Sequence, residues 1–280
     1  QVVNVVLSWV ISPVMGGLFA YLVFQYINKA IFSTRRPLAH AKELLPFIVS
    51  VVFFILSIAI CYKGLKNLHL DLEFSNVLLI AFVMGILGFF LSKVLVRYIP
   101  DDDSKDFAHQ FNTTENLFKY LQILTAFYIA FAHGSNDVAN AVGPLAAVVS
   151  ILDGGVVGMK VAMPIWILGL GGGFIVFGLM VWGYRVMATV GENITDITPS
   201  RGFCATFGAA SVVLICSKMG LPISTTHTLV GSIIGVGLAR GLPTLNLGII
   251  KMIFISWVTT IPFTAIISMI FFKAFLLFLP

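Results

Sequence analysis

Residues 120–152 read YLQILTAFYIAFAHGSNDVANAVGPLAAVVSIL, an apolar run long enough to cross a membrane, and this stretch decides the fold class. It belongs to a longer segment, residues 121–160, whose single Lys or Arg is Lys160. An ionised carboxylate nevertheless lies near its centre, at Asp137. Burying such a charge at bilayer depth costs about 2.5 to 3.5 kcal/mol on insertion scales, so it is tolerated mainly where it faces protein, water or an ion. Asp137 is therefore the first candidate functional residue.

The composition indicates an all-α integral membrane protein that crosses the cell membrane several times. Apolar residues make up 59% of the chain, charged residues make up 10%, and the mean hydropathy is +1.01. Several apolar runs approach the roughly 20 residues that a helix needs to span the hydrocarbon core. The predicted spans are 2–27, 45–62, 77–96, 120–152, 161–187, 203–216, 223–238 and 249–278.

The positive charges are distributed between these spans. The net charge of +5 would suit a nucleic-acid partner only if the basic residues formed one stripe, which they do not, so no nucleic acid is expected. Four basic residues follow the first span, two follow the second and four surround the third connection, which places the first and third loops in the cytoplasm by the positive-inside rule. These residues are Lys29, Arg35, Arg36 and Lys42, then Lys63 and Lys66, then Lys93, Arg97, Lys105 and Lys119.

The run at 120–152 exceeds one straight crossing and is interrupted near its middle by His133-Gly134-Ser135-Asn136. This pattern predicts a broken helix, in which Gly134 and Ser135 end one half and Asn136 begins the next. Backbone groups freed at such a break are tolerated in a membrane only where protein, water or a ligand satisfies them.

Side-chain oxygens cluster after the predicted break. Asn136 and Asn140 share a helix face, and Asp137 lies beside that face. Oxygen ligands with one negative charge suit a hard monovalent cation, so Asn136, Asp137 and Asn140 are predicted to bind Na⁺. The alternative is that they are polar contacts between helices.

A second polar cluster precedes the apolar run at 229–238. Pro222 suits a helix start, so Ser224, Thr225 and Thr226 would occupy the cap and the first turn. There the helix dipole, free N–H groups and three hydroxyls could bind an oxyanion without Lys or Arg. Ordinary capping is the alternative.

Charge balance links the two clusters. A phosphate beside Asp137 would be unpaired unless cations entered with it, which favours symport with Na⁺. In a proton-coupled alternative, Asp137 would be protonated and His133 or His227 would carry protons.

Internal similarity predicts a repeat. Ser8-Trp9-Val10 recurs as Ser256-Trp257-Val258, and a Pro follows within five residues in both places. Transporters commonly contain inverted repeats. Residues 1–32 are accordingly predicted to be the last helix of a first repeat whose beginning is absent, 33–117 to be linking transmembrane helices and loops, and 118–280 to be the second repeat with both motifs.

The motifs resemble a known family. Residues 133–141, HGSNDVANA, and residues 222–227, PISTTH, are similar to the two signature segments of the inorganic phosphate transporter (PiT) family of cation-coupled phosphate symporters. Residues 198–203, TPSRGF, resemble a third segment. The resemblance covers residues 118–280 closely and 2–32 more loosely.

This resemblance implies a homodimeric secondary transporter with re-entrant half-helices, surrounded by membrane lipid and working by alternating access. It implies that Ser224, Thr225 and Thr226 contact inorganic phosphate, that Asn136, Asp137 and Asn140 bind Na⁺, and that no other cofactor takes part. Thr206 departs from the family, which often has Glu there, and this bears on the coupling ions. The first signature pair is also missing, so this segment alone is expected not to transport phosphate and to require the upstream repeat.

The alternative is an enzyme, in which Ser224, His227 and Asp137 would form an intramembrane hydrolase triad. Three adjacent hydroxyls fit multidentate anion binding better than acyl transfer, so the prediction is a transporter and not an enzyme.

Overall fold

The computed structural model describes residues 2–64, 72–99, 106–153, 163–219, 221 and 223–278. These residues form eight α-helices and no strand, which confirms the predicted all-α class. The helices are α1 (Val2–Ile27), α2 (Pro37–Ala59), α3 (Phe74–Arg97), α4 (Phe107–Leu152), α5 (Ile165–Glu192), α6 (Pro199–Lys218), α7 (Thr225–Arg240) and α8 (Leu247–Phe278). Single π-helical turns, Asn28–Phe32 and Ile60–Gly64, extend α1 and α2.

Seven of the described helices are long and apolar enough to cross a membrane. The exception is α7, which has 16 residues and is therefore about 24 Å long, shorter than the hydrocarbon core. The protein is thus a multi-pass membrane protein, as its composition predicts.

The predicted break in the fourth span is wrong, because α4 runs without interruption over 46 residues. Gly134 has open space around the position of a missing Cβ, and a single Gly costs a helix only about 1 kcal/mol relative to Ala. Ser135 continues the helix, with its Oγ donating to the Ala132 carbonyl oxygen at 3.0 Å. The polar residues of 133–137 are therefore accommodated on the surface of a continuous helix.

Helices α6 and α7 form an antiparallel hairpin that packs between α4 and α1. We call the end of this hairpin at residues 196–200 and 237–240 its base, and the end at residues 218, 219, 221 and 223–225 its tip. Near the base, Gln25 of α1 donates to the Ala239 carbonyl oxygen at 3.3 Å. Near the tip, Ile223 packs with Ala132 of α4 and Cys216 of α6. The hairpin thus enters beside the end of α1 and turns beside the middle of α4.

Close backbone packing joins α7 to α1. A Cβ at Gly231 or Gly235 would overlap the backbone of Pro13 or Gly17, respectively, and a Cβ at Gly16 would lie 2.5 Å from the Thr228 carbonyl oxygen. Glycines four residues apart allow helices to approach in this way inside membranes. This contact fixes where α7 begins and therefore where the tip lies.

The outer helices are less covered. No residue in the most apolar stretch of α8 is buried. Helix α5 contacts α4 where Gly171 meets Val138 and Val142 and where Ile167 packs with Val142 and Ala146. The predicted repeat and its boundaries at residues 1–32, 33–117 and 118–280 stay predictions.

Candidate functional site

The two predicted clusters meet where the tip contacts α4. Thr225, the first residue of α7, donates from Oγ1 to Oδ2 of Asp137 at 2.6 Å. Asn136 donates from Nδ2 to the Ile223 carbonyl oxygen at 3.3 Å. The residues are far apart in sequence, and their contact places the start of α7 directly against the α4 carboxylate.

Both oxygens of Asp137 have further partners on α4. Nε2 of His133 lies 2.7 Å from Oδ2, and Nδ2 of Asn136 donates to Oδ1 at 3.0 Å. The carboxylate is partly accessible, with 30% of the Asp137 side chain exposed. Both of its oxygens are therefore hydrogen-bonded, and the carboxylate stays partly accessible.

Ser224 caps α7. Its Oγ accepts the backbone N–H of His227 at 3.3 Å, and its carbonyl oxygen accepts Oγ1 of Thr228 at 2.8 Å. A cap of this kind leaves most of the other first-turn N–H groups without intrahelical acceptors. Thr225 is buried, whereas Thr226 is exposed. The three predicted hydroxyls thus surround one helix start but face different neighbours.

Two of the residues predicted from the sequence, Asn140 and Pro222, lie partly or wholly outside the described residues. The backbone of Asn140 is helical within α4, but its side chain is outside the described residues. Pro222 is also outside them.

A groove of about 1260 Å³ extends from the tip between α1, α7 and α8. Ser224, Thr226 and His227 form its polar end, and the remainder is lined by apolar residues except for Tyr21 and Thr260. The His227 ring stacks on Trp257, with centroids 3.7 Å apart and planes 23° apart.

This arrangement does not assemble the hydrolase triad. The imidazole that contacts Asp137 belongs to His133, while the His227 ring lies on Trp257 and its backbone N–H is what contacts Ser224. The i, i+4 spacing of His133 and Asp137 was a signal for their pairing that the sequence interpretation did not use.

The donor set favours hard ions. Carboxylate, hydroxyl and carbonyl oxygens from Asp137, Thr225 and Ile223 lie together here, and Nδ2 of Asn136 bridges the carboxylate and the carbonyl. In the described part of the chain, no group of three His, Cys, Asp or Glu residues could hold a transition metal. Oxygen ligands of this kind suit Na⁺ and similar cations.

Comparisons with known proteins agree with this chemistry. Residues 1–268 match the model of the phosphate transporter family. A protein of Pyrococcus horikoshii, provisionally named phosphate permease, is 44% identical over 278 residues, which cover 99% of this chain and 66% of that protein. A Haemophilus influenzae protein with the same provisional name is 44% identical over 96% of this chain and 64% of its own length.

A solved structure described as the sodium-dependent phosphate transporter is also similar. It superposes with a TM-score of 0.80 at 42% identity, over 92% of this chain and 62% of that one. The chain thus spans less than two thirds of the length of the relatives it matches. Given a family model that covers nearly all of its residues and relatives above 40% identity, the chain belongs to the phosphate transporter family.

Proposed function

We propose that this protein is a secondary transporter of inorganic phosphate, coupled to Na⁺ and working by alternating access. The family and the sodium-dependent structural relative support the substrate and the ion. The observation that carries the proposal is the 2.6 Å contact between Thr225 and Asp137, because it joins a helix start suited to an anion with a carboxylate suited to a cation.

Phosphate would bind at the start of α7. Ser224, Thr225 and Thr226 offer hydroxyls there, and the helix dipole adds partial positive charge. Thr226 and Ser224 border the groove, so their hydroxyls are reachable from it. No Lys or Arg belongs to the described lining of this groove, so the site lacks a fixed cation to neutralise phosphate.

Na⁺ would supply that charge. Asp137 presents its carboxylate oxygens at the contact between α4 and the tip, and Asn136 lies beside it through Nδ2. We include the side-chain oxygens of Asn136 and Asn140 as further Na⁺ ligands from their sequence positions. An ion bound here would neutralise Asp137 and phosphate together, so that neither crosses the membrane unpaired. Binding requires His133, Asn136 or Thr225 to give up some of their hydrogen bonds to the carboxylate, which links ion occupancy to the position of the tip.

The remaining expectations belong to the same proposal. A homodimer in a lipid bilayer, in which each subunit contains two inverted repeats, would complete the transporter. The groove between α1, α7 and α8 would then be part of a larger interior surface.

The test is phosphate binding and uptake in proteoliposomes, with the purified full-length protein that includes the expected upstream repeat, under Na⁺ and pH gradients imposed separately. Asp137→Asn should remove Na⁺-stimulated phosphate binding and uptake, because an amide cannot replace the negative charge. Asp153→Asn is the matched control, since Asp153 caps the same helix at an exposed position. Undiminished Na⁺ stimulation in Asp137→Asn would contradict the assignment of the carboxylate.

Proton coupling is the second candidate, and one contact favours it. His133 and Asp137 lie 2.7 Å apart and could share a proton. In that case a pH gradient alone would drive uptake and Na⁺ would have no effect, so the same assay separates the two ions.

A further inference from the structure

We propose that Lys218, Tyr62 and Phe74 form an aromatic clamp that positions the tip, so that Ser224, Thr225 and Thr226 are held in place for phosphate. We call this trio the aromatic clamp. The inference rests on the proposed function, and it assigns a positioning role to residues that neither signature motif contains.

The geometry of the clamp is that of one cation shared by two neighbouring rings. Nζ of Lys218 lies 4.3 Å from the ring centroid of Tyr62 and 4.8 Å from that of Phe74. The two rings have centroids 6.5 Å apart. Both cation distances fall well within the roughly 6 Å over which an ammonium is attracted to a ring face.

The clamp joins two separate parts of the fold. Lys218 is the last residue of α6, Tyr62 lies in the turn that extends α2, and Phe74 begins α3. Contacts between α6 and α2 are otherwise sparse, because α6 packs mainly on α4, α1 and α7. In the described residues, no carboxylate pairs with Lys218. The rings are therefore its specific partners.

A short hydrogen-bonded turn links the clamp to the side-chain hydroxyls that are proposed to bind phosphate. The N–H of Met219 donates to Ile215 at 3.1 Å and that of Leu221 donates to Cys216 at 3.0 Å, so the turn after Lys218 is closed onto the end of α6. Ile223 is then fixed by Asn136, and Ser224 caps α7. Movement of Lys218 would pass through this turn to Ser224 and Thr225.

Simple anchoring at the membrane surface is the competing account, since Lys and aromatic residues are common there. Anchoring depends on the amphipathic character of each side chain by itself. The clamp depends on a cation and two rings together, and conservative replacements therefore distinguish the two.

Steady-state phosphate uptake at saturating Na⁺ tests the clamp. Lys218→Met and the double variant Tyr62→Leu/Phe74→Leu should each raise the KM for phosphate about fivefold, with kcat within about twofold of the parent, because they remove cation–π attraction and not a ligand. Lys218→Arg keeps the cation and Tyr62→Phe keeps the ring, so each of these variants should retain the parental KM.

Lys93→Met is the matched control. Nζ of Lys93 lies 5.8 Å from the Phe89 ring, in a cation–π contact on α3 that is separate from the tip. This variant should leave the KM unchanged. An equal KM in Lys218→Met and the parent, or an equal rise in Lys93→Met, would overturn the clamp.

Hydrogen–deuterium exchange gives a readout that does not require transport. Amides of residues 219 and 221 should exchange at least about fivefold faster in Lys218→Met, while the amide of Ser200 at the base, which donates to Glu115, should not change. Faster exchange at the tip in a protein without phosphate uptake would keep the clamp and contradict the proposed function. Unchanged exchange at the tip would overturn the clamp whether or not the protein transports phosphate.

Discussion

Two carboxylates of α4 each face the start of a helix in the α6–α7 hairpin, and they are used differently. At the base, Glu115 accepts three hydrogen bonds from the start of α6: Thr198 Oγ1 at 2.9 Å, Ser200 N at 2.9 Å and Ser200 Oγ at 2.8 Å. At the tip, Asp137 accepts one bond from α7, and its other partners belong to α4 itself.

The difference separates an anchor from a binding site. The start of α6 is filled by the protein's own carboxylate, so an anion has no place there. The start of α7 is capped by Ser224 and gives one hydroxyl, that of Thr225, to Asp137, whereas the helix dipole and the exposed Thr226 stay available. One α4 carboxylate thus stabilises the hairpin, whereas the other is left free to exchange partners.

The largest effect is expected from displacing α7 from α1. Gly231→Leu would force a side chain into the Pro13 backbone, which cannot move without moving α1. We expect a loss of more than about 3 kcal/mol and no recoverable folded protein. Gly172→Leu on α5, where a Cβ meets open space, is the control and should behave normally in detergent size-exclusion chromatography. A well-folded Gly231→Leu protein would contradict the close α1–α7 contact.

The anchor itself is tested by Glu115→Ala. The change leaves Thr198 and the Ser200 N–H without their acceptor at a partly buried site, so we expect a loss of about 2 kcal/mol in unfolding free energy, seen as a lower Tm. Asn116→Ala, at the exposed neighbouring position, should have little effect. If the two variants have equal Tm values, Glu115 does not anchor the base.

At the tip, Thr225→Val should change the Na⁺ dependence of uptake more than the stability, which is the reverse of what is expected for Glu115→Ala. Removing one hydrogen bond inside a membrane costs stability by about 1 kcal/mol or less. The change also removes the Thr225 hydroxyl oxygen from the proposed Na⁺ ligands, so the Na⁺ concentration for half-maximal phosphate uptake should rise about tenfold. Thr264→Val, which removes a similar hydroxyl on exposed α8, should change neither quantity. A large fall in the Tm of Thr225→Val with an unchanged Na⁺ dependence would show that the contact at the tip anchors the hairpin as Glu115 does.

The smallest effect is expected between base and tip, where Oγ1 of Thr125 and Thr206 lie 2.7 Å apart. A double-mutant cycle with Thr125→Val and Thr206→Val should give a coupling energy of about 0.6 kcal/mol in thermal unfolding, typical of hydrogen bonds between membrane helices. An altered Na⁺ dependence in Thr206→Val would instead give this position a role in ion coupling.

Much of the fold follows from the sequence, because continuous apolar runs are unambiguous in length. The predicted spans at 2–27 and 249–278 agree closely with α1 and α8. The break at Gly134 was predicted wrongly because a Gly–Ser pair is compatible with both a break and a helix, and only its surroundings decide. Here the residues around Gly134 leave open space, and nothing forces the backbone out of α4.

The residues of the site could be predicted from the sequence better than the contacts between them. Asp137 and Thr225 stand out by charge and by position at a helix start, and the structure brings them together. The aromatic clamp could not be predicted, since Tyr62, Phe74 and Lys218 have no common motif and meet only through the packing of α2, α3 and α6.

The unbroken course of α4 has a mechanical consequence. Glu115 and Asp137 lie on one rod, about 33 Å apart at 1.5 Å per residue. A rotation of only about 5° around Glu115 would carry Asp137 sideways by about 3 Å, the length of a hydrogen bond. Small rocking of this lever would therefore suffice to disengage the carboxylate from Thr225 without unwinding any helix.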